Sequence, residues 1–138
     1  MMILTLLACI GSEPEKRPLD TEVGDTQPVV PCEGITAEVT ELDPGDLASM
    51  LESKDFHFIN VHTPYAGEIP GTDAHIPYND VDALEEELGS LDAPAVLYCR
   101  TGPMSAQATK ALVERGYCAI YDLPVGMVGW EQGGYELD

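Results

Sequence analysis

Residues 96–105, Val-Leu-Tyr-Cys-Arg-Thr-Gly-Pro-Met-Ser, carry a buried-strand pattern directly into a helix start. The helical stretch runs from Ser105 to Arg115, with Met104, Ala108, Ala111 and Leu112 on one face and Gly116 as a stop signal after Lys110 and Arg115. Cys99 therefore stands where a strand ends and faces a helix N-terminus. Unpaired amides of the loop and first turn, with the helix dipole, stabilise an anion there. An unpaired cysteine closing a core strand is ordinarily a small apolar residue. Two neighbours point to reactivity instead: Arg100 is one of only six basic residues against 25 acidic ones, and Gly102 lets the backbone turn around a bound group. Cys99 is the candidate nucleophile.

Outward from this loop, strands and helices alternate. Ile35 to Val39 reads as a strand, and Asp43-Pro44-Gly45-Asp46 starts a helix through Leu47, Met50 and Leu51. Phe56 to Val61 reads as a buried strand, followed by a turn-rich stretch from Thr63 to Gly71. His75 to Tyr78 reads as a brief strand. Asn79 or Asp80 caps a helix carrying Val81, Leu84 and Leu88, with Gly89 at its end. Ala95 to Cys99 is the central strand, Ala119 to Leu123 another, and Met127 to Gln132 a last short helix around Trp130. This alternation predicts an α/β fold with an open parallel sheet, right-handed crossovers and flanking helices. The cysteine loop then lies at the carboxyl edge of the sheet, where such folds bind ligands. His62, directly after a core strand, falls on the same edge and is a candidate pocket residue. His57 alternates with Phe56 and Phe58 and reads as structural, and His75 has no distinguishing feature.

The 138 residues have room for one domain, and 44% hydrophobic content is enough for its core. The formal charge of -19 argues against nucleic acid or an anionic membrane surface as an electrostatic partner. His57, His62 and His75 lack metal-ligand spacing, so neither a metal nor another cofactor is expected. With no long amphipathic repeat, a monomer is expected.

The N-terminus differs from the rest. Met1 to Ala8 is an apolar run ending in Leu6-Leu7-Ala8-Cys9, which resembles the lipobox of bacterial lipoproteins, in which the cysteine is lipidated; no Lys or Arg precedes the run. Residues 1–9 are thus expected to be a lipoprotein-type signal segment. Residues 10–31, rich in Gly, Ser, Glu, Pro, Asp and Thr, cannot bury enough to offset their ordering entropy and read as a disordered acidic tether. Residues 32–138 form the globular domain. The expected location is extracytoplasmic, on a bacterial membrane and held by the lipid alone, because a spanning helix needs about 20 apolar residues. Cys32 precedes the first strand and Cys118 a later one; if those strands are parallel neighbours, their starting ends adjoin and a Cys32–Cys118 disulfide can form in an oxidising space.

The ordered set of strand, Cys99-Arg100-Thr101-Gly102 loop, helix, strand and Gly126-Met127-Val128-Gly129-Trp130-Glu131 resembles a single-domain rhodanese from about Ile35 to Leu137. Ile59-Asn60-Val61-His62-Thr63-Pro64 and Glu68-Ile69-Pro70-Gly71 look like that family's Asp-Val-Arg-Thr-Pro strand end and His-Ile-Pro-Gly turn. The resemblance implies a rhodanese-like domain in which the loop cysteine attacks the outer sulfur of an anionic donor such as thiosulfate, becomes a persulfide, and passes that sulfur to a thiol-type acceptor, a small molecule or a protein. The loop length from Cys99 to Ser105 resembles the sulfurtransferase form.

A persulfide is a soft anion that needs inward-pointing amides, and those of Arg100, Thr101, Gly102, Met104 and Ser105 are placed to supply them. Arg100 is suited to attract the donor or stabilise departing sulfite. Thr101 and Ser105 add hydroxyls, though Ser105 is also suited to cap its helix. Pro103 removes one amide, Met104 stands where many active members carry arginine, and Asn60 and His62 replace the usual acid and arginine. Weaker anion binding follows. Two other readings stay open: a catalytically weak binding or redox-sensing module, and a phosphatase or arsenate reductase, which the absence of an arginine at the loop's end disfavours. Gly126 to Trp130 reads as packing under the loop rather than a cofactor site.

Overall fold

A computed structural model describes residues 32–138. The elements in order are β1 (Val39–Glu41), α1 (Pro44–Leu51), β2 (His57–Asn60), β3 (Ala74–His75), α2 (Val81–Leu88), β4 (Ala95–Tyr98), α3 (Pro103–Glu114), β5 (Ile120–Leu123) and α4 (Gly126–Gln132). The strands form one sheet in the order β1-β5-β4-β2-β3, and every pairing is parallel. β4 is central because all four of its residues are apolar or aromatic and fully buried, as a strand covered on both faces requires. Side-chain alternation sends Ala95 and Leu97 to a cluster with Ile59, Leu84 and Leu112. Val96 and Tyr98 point the other way, to Phe58, Leu47, Leu123, Met127 and Trp130. Thus α2 and α3 cover one face, α1 and α4 the other.

Local signals set the helix starts. Asp43 caps α1 by accepting from the Asp46 amide at 2.8 Å, Asp46 answers to the Asp43 amide, and Pro44 occupies the first turn, where its missing N–H costs nothing. At α2 the cap is Asp80, which accepts from the Ala83 amide at 3.2 Å, and Gly89 closes the helix at φ 80°.

Several boundaries differ from those the sequence suggests. The first strand lies at Val39–Glu41 rather than Ile35–Val39, because its partner β5 begins opposite Val39, at Ile120. Ile35 is instead held in a turn by its amide on the Cys32 carbonyl and stays 58% exposed. The strand expected from His75 to Tyr78 is Ala74–His75; Pro77 has no amide to extend the ladder. The helix expected from Ser105 begins earlier, at Pro103. The proposed lipidation site Cys9, the signal segment and the tether of residues 10–31 lie outside the described residues. At the amino edge of the sheet, Cys32 and Cys118 form a disulfide with a Cα–Cα distance of 5.7 Å.

The residue before the candidate nucleophile is a structural tie. The Tyr98 hydroxyl accepts from the Ile69 amide at 2.9 Å and lies 2.6 Å from Thr72 Oγ1, which donates to the Ile69 carbonyl at 2.6 Å. Thr72 has one proton, so Tyr98 donates to it. Burial pushes the Tyr98 phenol up to about 12, against these two hydrogen bonds, so the group stays neutral and keeps its donor. Tyr98→Phe leaves the buried Ile69 amide without an acceptor and is expected to cost about 1–3 kcal/mol in urea unfolding.

Candidate functional site

The polypeptide leaves β4 at Cys99 and enters α3 at Pro103, so the intervening loop must reverse direction at the carboxyl edge of the sheet. Gly102 makes the turn at φ 117°, a region open to glycine, and a Cβ there would collide with the Pro124 carbonyl. Pro103 then opens α3 with a backbone angle already suited to a helix. No side chain caps this helix. Among the described residues, the amides of Arg100, Thr101, Met104 and Ser105 have no backbone acceptor, while the Gly102 amide donates to Cys99 Sγ at 3.0 Å. Cys99 is 1% exposed and is the free cysteine among the described residues.

The loop is gripped from below by α4. Met127 donates to the Cys99 carbonyl at 2.9 Å and Val128 to the Arg100 carbonyl at 3.0 Å. Gly126, at φ 63°, permits this approach, since a Cβ would overlap the carbonyls of Cys99 and Arg100. The segment Gly126 to Trp130 is thus the floor of the loop. Met127 and Trp130 are buried in the core beneath it, with Trp130 donating to the Glu136 carbonyl at 2.9 Å.

Ser105 is fully buried and does not cap α3; its hydroxyl donates to the Gly102 carbonyl at 3.1 Å from within the first turn. Thr101 and Pro103 are exposed on the rim, and Met104 packs against the α2–α3 core. Arg100 is exposed at the mouth of the loop. His62 lies near it: burial, then the Arg100 guanidinium, then His75 hold the His62 imidazole below its ordinary value, so it is neutral at pH 7 and Arg100 carries the positive charge. Asn60, buried, shapes this wall by accepting from the His62 amide at 3.0 Å and donating to the Gly67 carbonyl at 2.9 Å.

Two residues at this edge escaped sequence reasoning. His75 Nε2 hydrogen-bonds the His62 carbonyl, and its ring meets Tyr65 edge-on at 5.2 Å. Nothing in its sequence neighbourhood places it there; the β2–β3 pairing, with Asn60 opposite His75, does. The second is Asp122, 3% exposed on β5. In sequence it is one residue of the strand Ala119 to Leu123, with no local signal that sets it apart. A depression lined by Lys54, Phe56, His57, Asp73 and Pro94 lies at the opposite, amino edge of the sheet and is filled in part by the Lys54–Asp73 ion pair at 2.8 Å. No group of three or more His, Cys, Asp or Glu side chains among the described residues is arranged to hold a metal ion.

Residues 43–133 match the rhodanese-like domain family, and the chain belongs to that family. It is 29% identical over 103 residues to a sulfurtransferase of Allochromatium vinosum, covering 72% of this chain and 94% of that protein. It is also 29% identical over 85 residues to the thiosulfate sulfurtransferase GlpE of Pseudoalteromonas translucida, covering 59% and 79% of the two. Among solved structures, a rhodanese-related protein from Thermoplasma volcanium superposes with a TM-score of 0.60 at 22% identity, over 72% of this chain and 97% of that one. A human single-domain sulfurtransferase does so with 0.56 at 22% identity, over 67% and 95%. These likenesses to solved structures show the fold.

The buried Asp122 has a stability consequence. Burial first, with a smaller contribution from Glu41, pushes its carboxyl from 3.8 up to about 6, while Ser105 opposes the rise. A raised carboxyl favours the folded state fully below the unfolded value and loses that advantage as pH rises through the folded one. Asp122→Asn, which cannot ionise, is therefore expected to be more stable than the parent by about 1–3 kcal/mol at pH about 7.5, with the gap closing near pH 4. Urea unfolding at the two pH values measures it.

Proposed function

We propose that this chain is a sulfurtransferase that carries sulfane sulfur on Cys99. The observation that carries the reading is the Gly102 amide on Cys99 Sγ at 3.0 Å, at the N-terminus of a helix with no side-chain cap. A donor N–H on sulfur stabilises a thiolate, and the unpaired amides around it suit the terminal sulfur of a persulfide. The Cys99 thiolate attacks the outer sulfur of thiosulfate or a similar anionic donor. A new S–S bond forms, the donor's S–S bond breaks, and its electron pair leaves with sulfite. An acceptor thiolate then attacks the terminal sulfur of the persulfide, takes it, and returns Cys99 to a thiolate.

Arg100 is the cation at the mouth of the loop and attracts the anionic donor in a strongly acidic chain. The names of the curated relatives support the same class of reaction. The alternative, a rhodanese-like binding or redox-sensing module, is favoured by one observation: Cys99 is 1% exposed, so a donor must enter through the loop's mouth. Intact mass of the purified chain before and after thiosulfate decides between them. A gain of one sulfur, about 32 Da, with sulfite release and no gain in Cys99→Ser, is expected. No adduct and no sulfite with any sulfane donor would sink the enzyme reading in favour of the module.

The proposal extends to location: the chain works outside the cytoplasm, tethered through lipid on Cys9. The lipobox-like Leu6-Leu7-Ala8-Cys9 and the Cys32–Cys118 disulfide support it, since disulfides persist in oxidising compartments. Expressed in a bacterium, the parent is expected in the membrane fraction carrying a lipid-modified Cys9, and Cys9→Ala is expected in the soluble fraction. An unlipidated parent that is soluble would overturn the tether.

A further inference from the structure

The exposed large apolar side chains among the described residues are Ile35, Tyr65 and Val125. Ile35 precedes β1, but the other two bracket the Cys99 loop. Val125 follows β5 between two residues that touch the loop: a Cβ on Gly102 would meet the Pro124 carbonyl, and a Cβ on Gly126 would meet the Arg100 carbonyl. On the opposite side, Asn60 of β2 is in register with Tyr98 of β4, and the Val61 amide donates to the Tyr98 carbonyl at 2.8 Å, so the backbone of His62 leaves the sheet beside that of Arg100. The chain then turns outward over β3. His75 hydrogen-bonds the His62 carbonyl, and the Tyr65 ring stands edge-on to His75 at 5.2 Å. Tyr65 is 55% exposed and Val125 44%. Single apolar residues at a surface are ordinary, but a pair flanking a reactive group marks a contact surface.

The charge of this face differs from that of the chain. Residues 61–66, 76–79, 99–106 and 124–130, which follow the carboxyl ends of β2, β3, β4 and β5, contain no Asp or Glu, although the chain has 25 acidic residues. They carry one Lys or Arg, the exposed Arg100. Acids border the face rather than enter it, as with Glu68, three residues after Tyr65, and Asp80 at the cap of α2. A neutral segment bringing a thiolate therefore meets a cation and the least repulsion here, while the rest of the surface repels anions.

The span of the face selects the size of its occupant. The sheet order β5-β4-β2-β3 places three strand spacings of about 4.8 Å between the Val125 side and the Tyr65 side, or about 14 Å. Extended polypeptide covers at most about 3.3–3.6 Å per residue, so touching both takes about four or five residues, more than a single amino-acid thiol reaches. Cys99, 1% exposed, lies between them. We infer that the carboxyl edge is the docking surface of a polypeptide sulfur acceptor, whose segment of about five residues is uncharged and apolar on both sides of a cysteine. One flank covers Val125, the other covers Tyr65, and the cysteine lies over the loop. The transfer step rests on the sulfurtransferase reading; the contact does not. In that step the acceptor thiolate, drawn by Arg100, forms an S–S bond to the terminal sulfur of the persulfide, the bond from that sulfur to Cys99 Sγ breaks, and its electron pair stays on Cys99.

The test loads the purified chain with sulfur from thiosulfate and offers three acceptors at equal thiolate concentration. They are N-acetylcysteine, a capped heptapeptide with leucines on both sides of a central cysteine, and the same peptide with aspartates in place of the leucines. The leucine peptide is expected to take sulfur about tenfold faster than N-acetylcysteine, and the aspartate peptide no faster than N-acetylcysteine. Tyr65→Ser combined with Val125→Ser, both at exposed positions, is expected to remove the tenfold advantage while changing the N-acetylcysteine rate by less than about twofold. Equal rates for all three thiols, or an advantage that survives both substitutions, overturns the proposal. A parent dimer that the two substitutions dissociate, seen by sedimentation, also overturns it, because the occupant is then a second copy of this chain. NMR supplies an arm independent of sulfur chemistry: the leucine peptide with serine in place of cysteine is expected to shift the Tyr65 and Val125 amides and leave that of Ile35 unmoved. If Cys99 takes no sulfur while those shifts appear, the sulfurtransferase reading fails and the docking surface stands. Sulfur passed equally to every thiol, with no shifts, overturns the docking surface alone.

Discussion

Two backbone hydrogen bonds, from Met127 to the Cys99 carbonyl and from Val128 to the Arg100 carbonyl, determine where the sulfur can be held. They are made by the first turn of α4, whose orphan amides would otherwise need water, and they satisfy loop carbonyls that turn away from the sheet ladder. Everything above them depends on this contact. With the carbonyls pulled down onto α4, the Gly102 amide reaches the Cys99 sulfur and the remaining loop amides are left without backbone acceptors. Gly126 and Gly102 are the points where backbone must meet backbone, and neither tolerates a Cβ.

The same edge of the sheet is built from buried polar groups that tie neighbouring segments together. Tyr98 anchors the Ile69–Thr72 turn, Asn60 shapes the approach through His62 and Gly67, and Ser105 fastens Gly102 to the first turn of α3. A buried hydrogen bond contributes only about 1 kcal/mol net, but leaving its partner unsatisfied costs more, so such groups secure a geometry more than they add stability. Asp122 is the exception, with one oxygen unpaired in the core. It lies on β5 in register with Leu97 of β4, whereas at the amino edge the disulfide and the Lys54–Asp73 pair make partnered ties.

Much of the fold was legible because the signals are local. Apolar runs marked β2, β4 and β5, Asp43 and Asp80 marked helix starts, and the change of period at Cys99 marked the loop. The errors came where a partner decides the boundary. Ile35 has the right character for a strand but no ladder opposite it, and His75 became a site neighbour only through pairing with β2.

By itself, then, the sequence determined the order of strands and helices, the parallel class of sheet, and Cys99 as the residue at a strand-to-helix turn, because periodicity, caps and glycines act over a few residues of chain. Tertiary structure alone decided that α4 grips the loop, that His62 and His75 meet near Arg100, and that Asp122 lies buried with one oxygen unpaired. These contacts join residues far apart in sequence, and a hydrogen bond or a desolvated carboxyl depends on what the fold brings within a few ångströms, which no local pattern records.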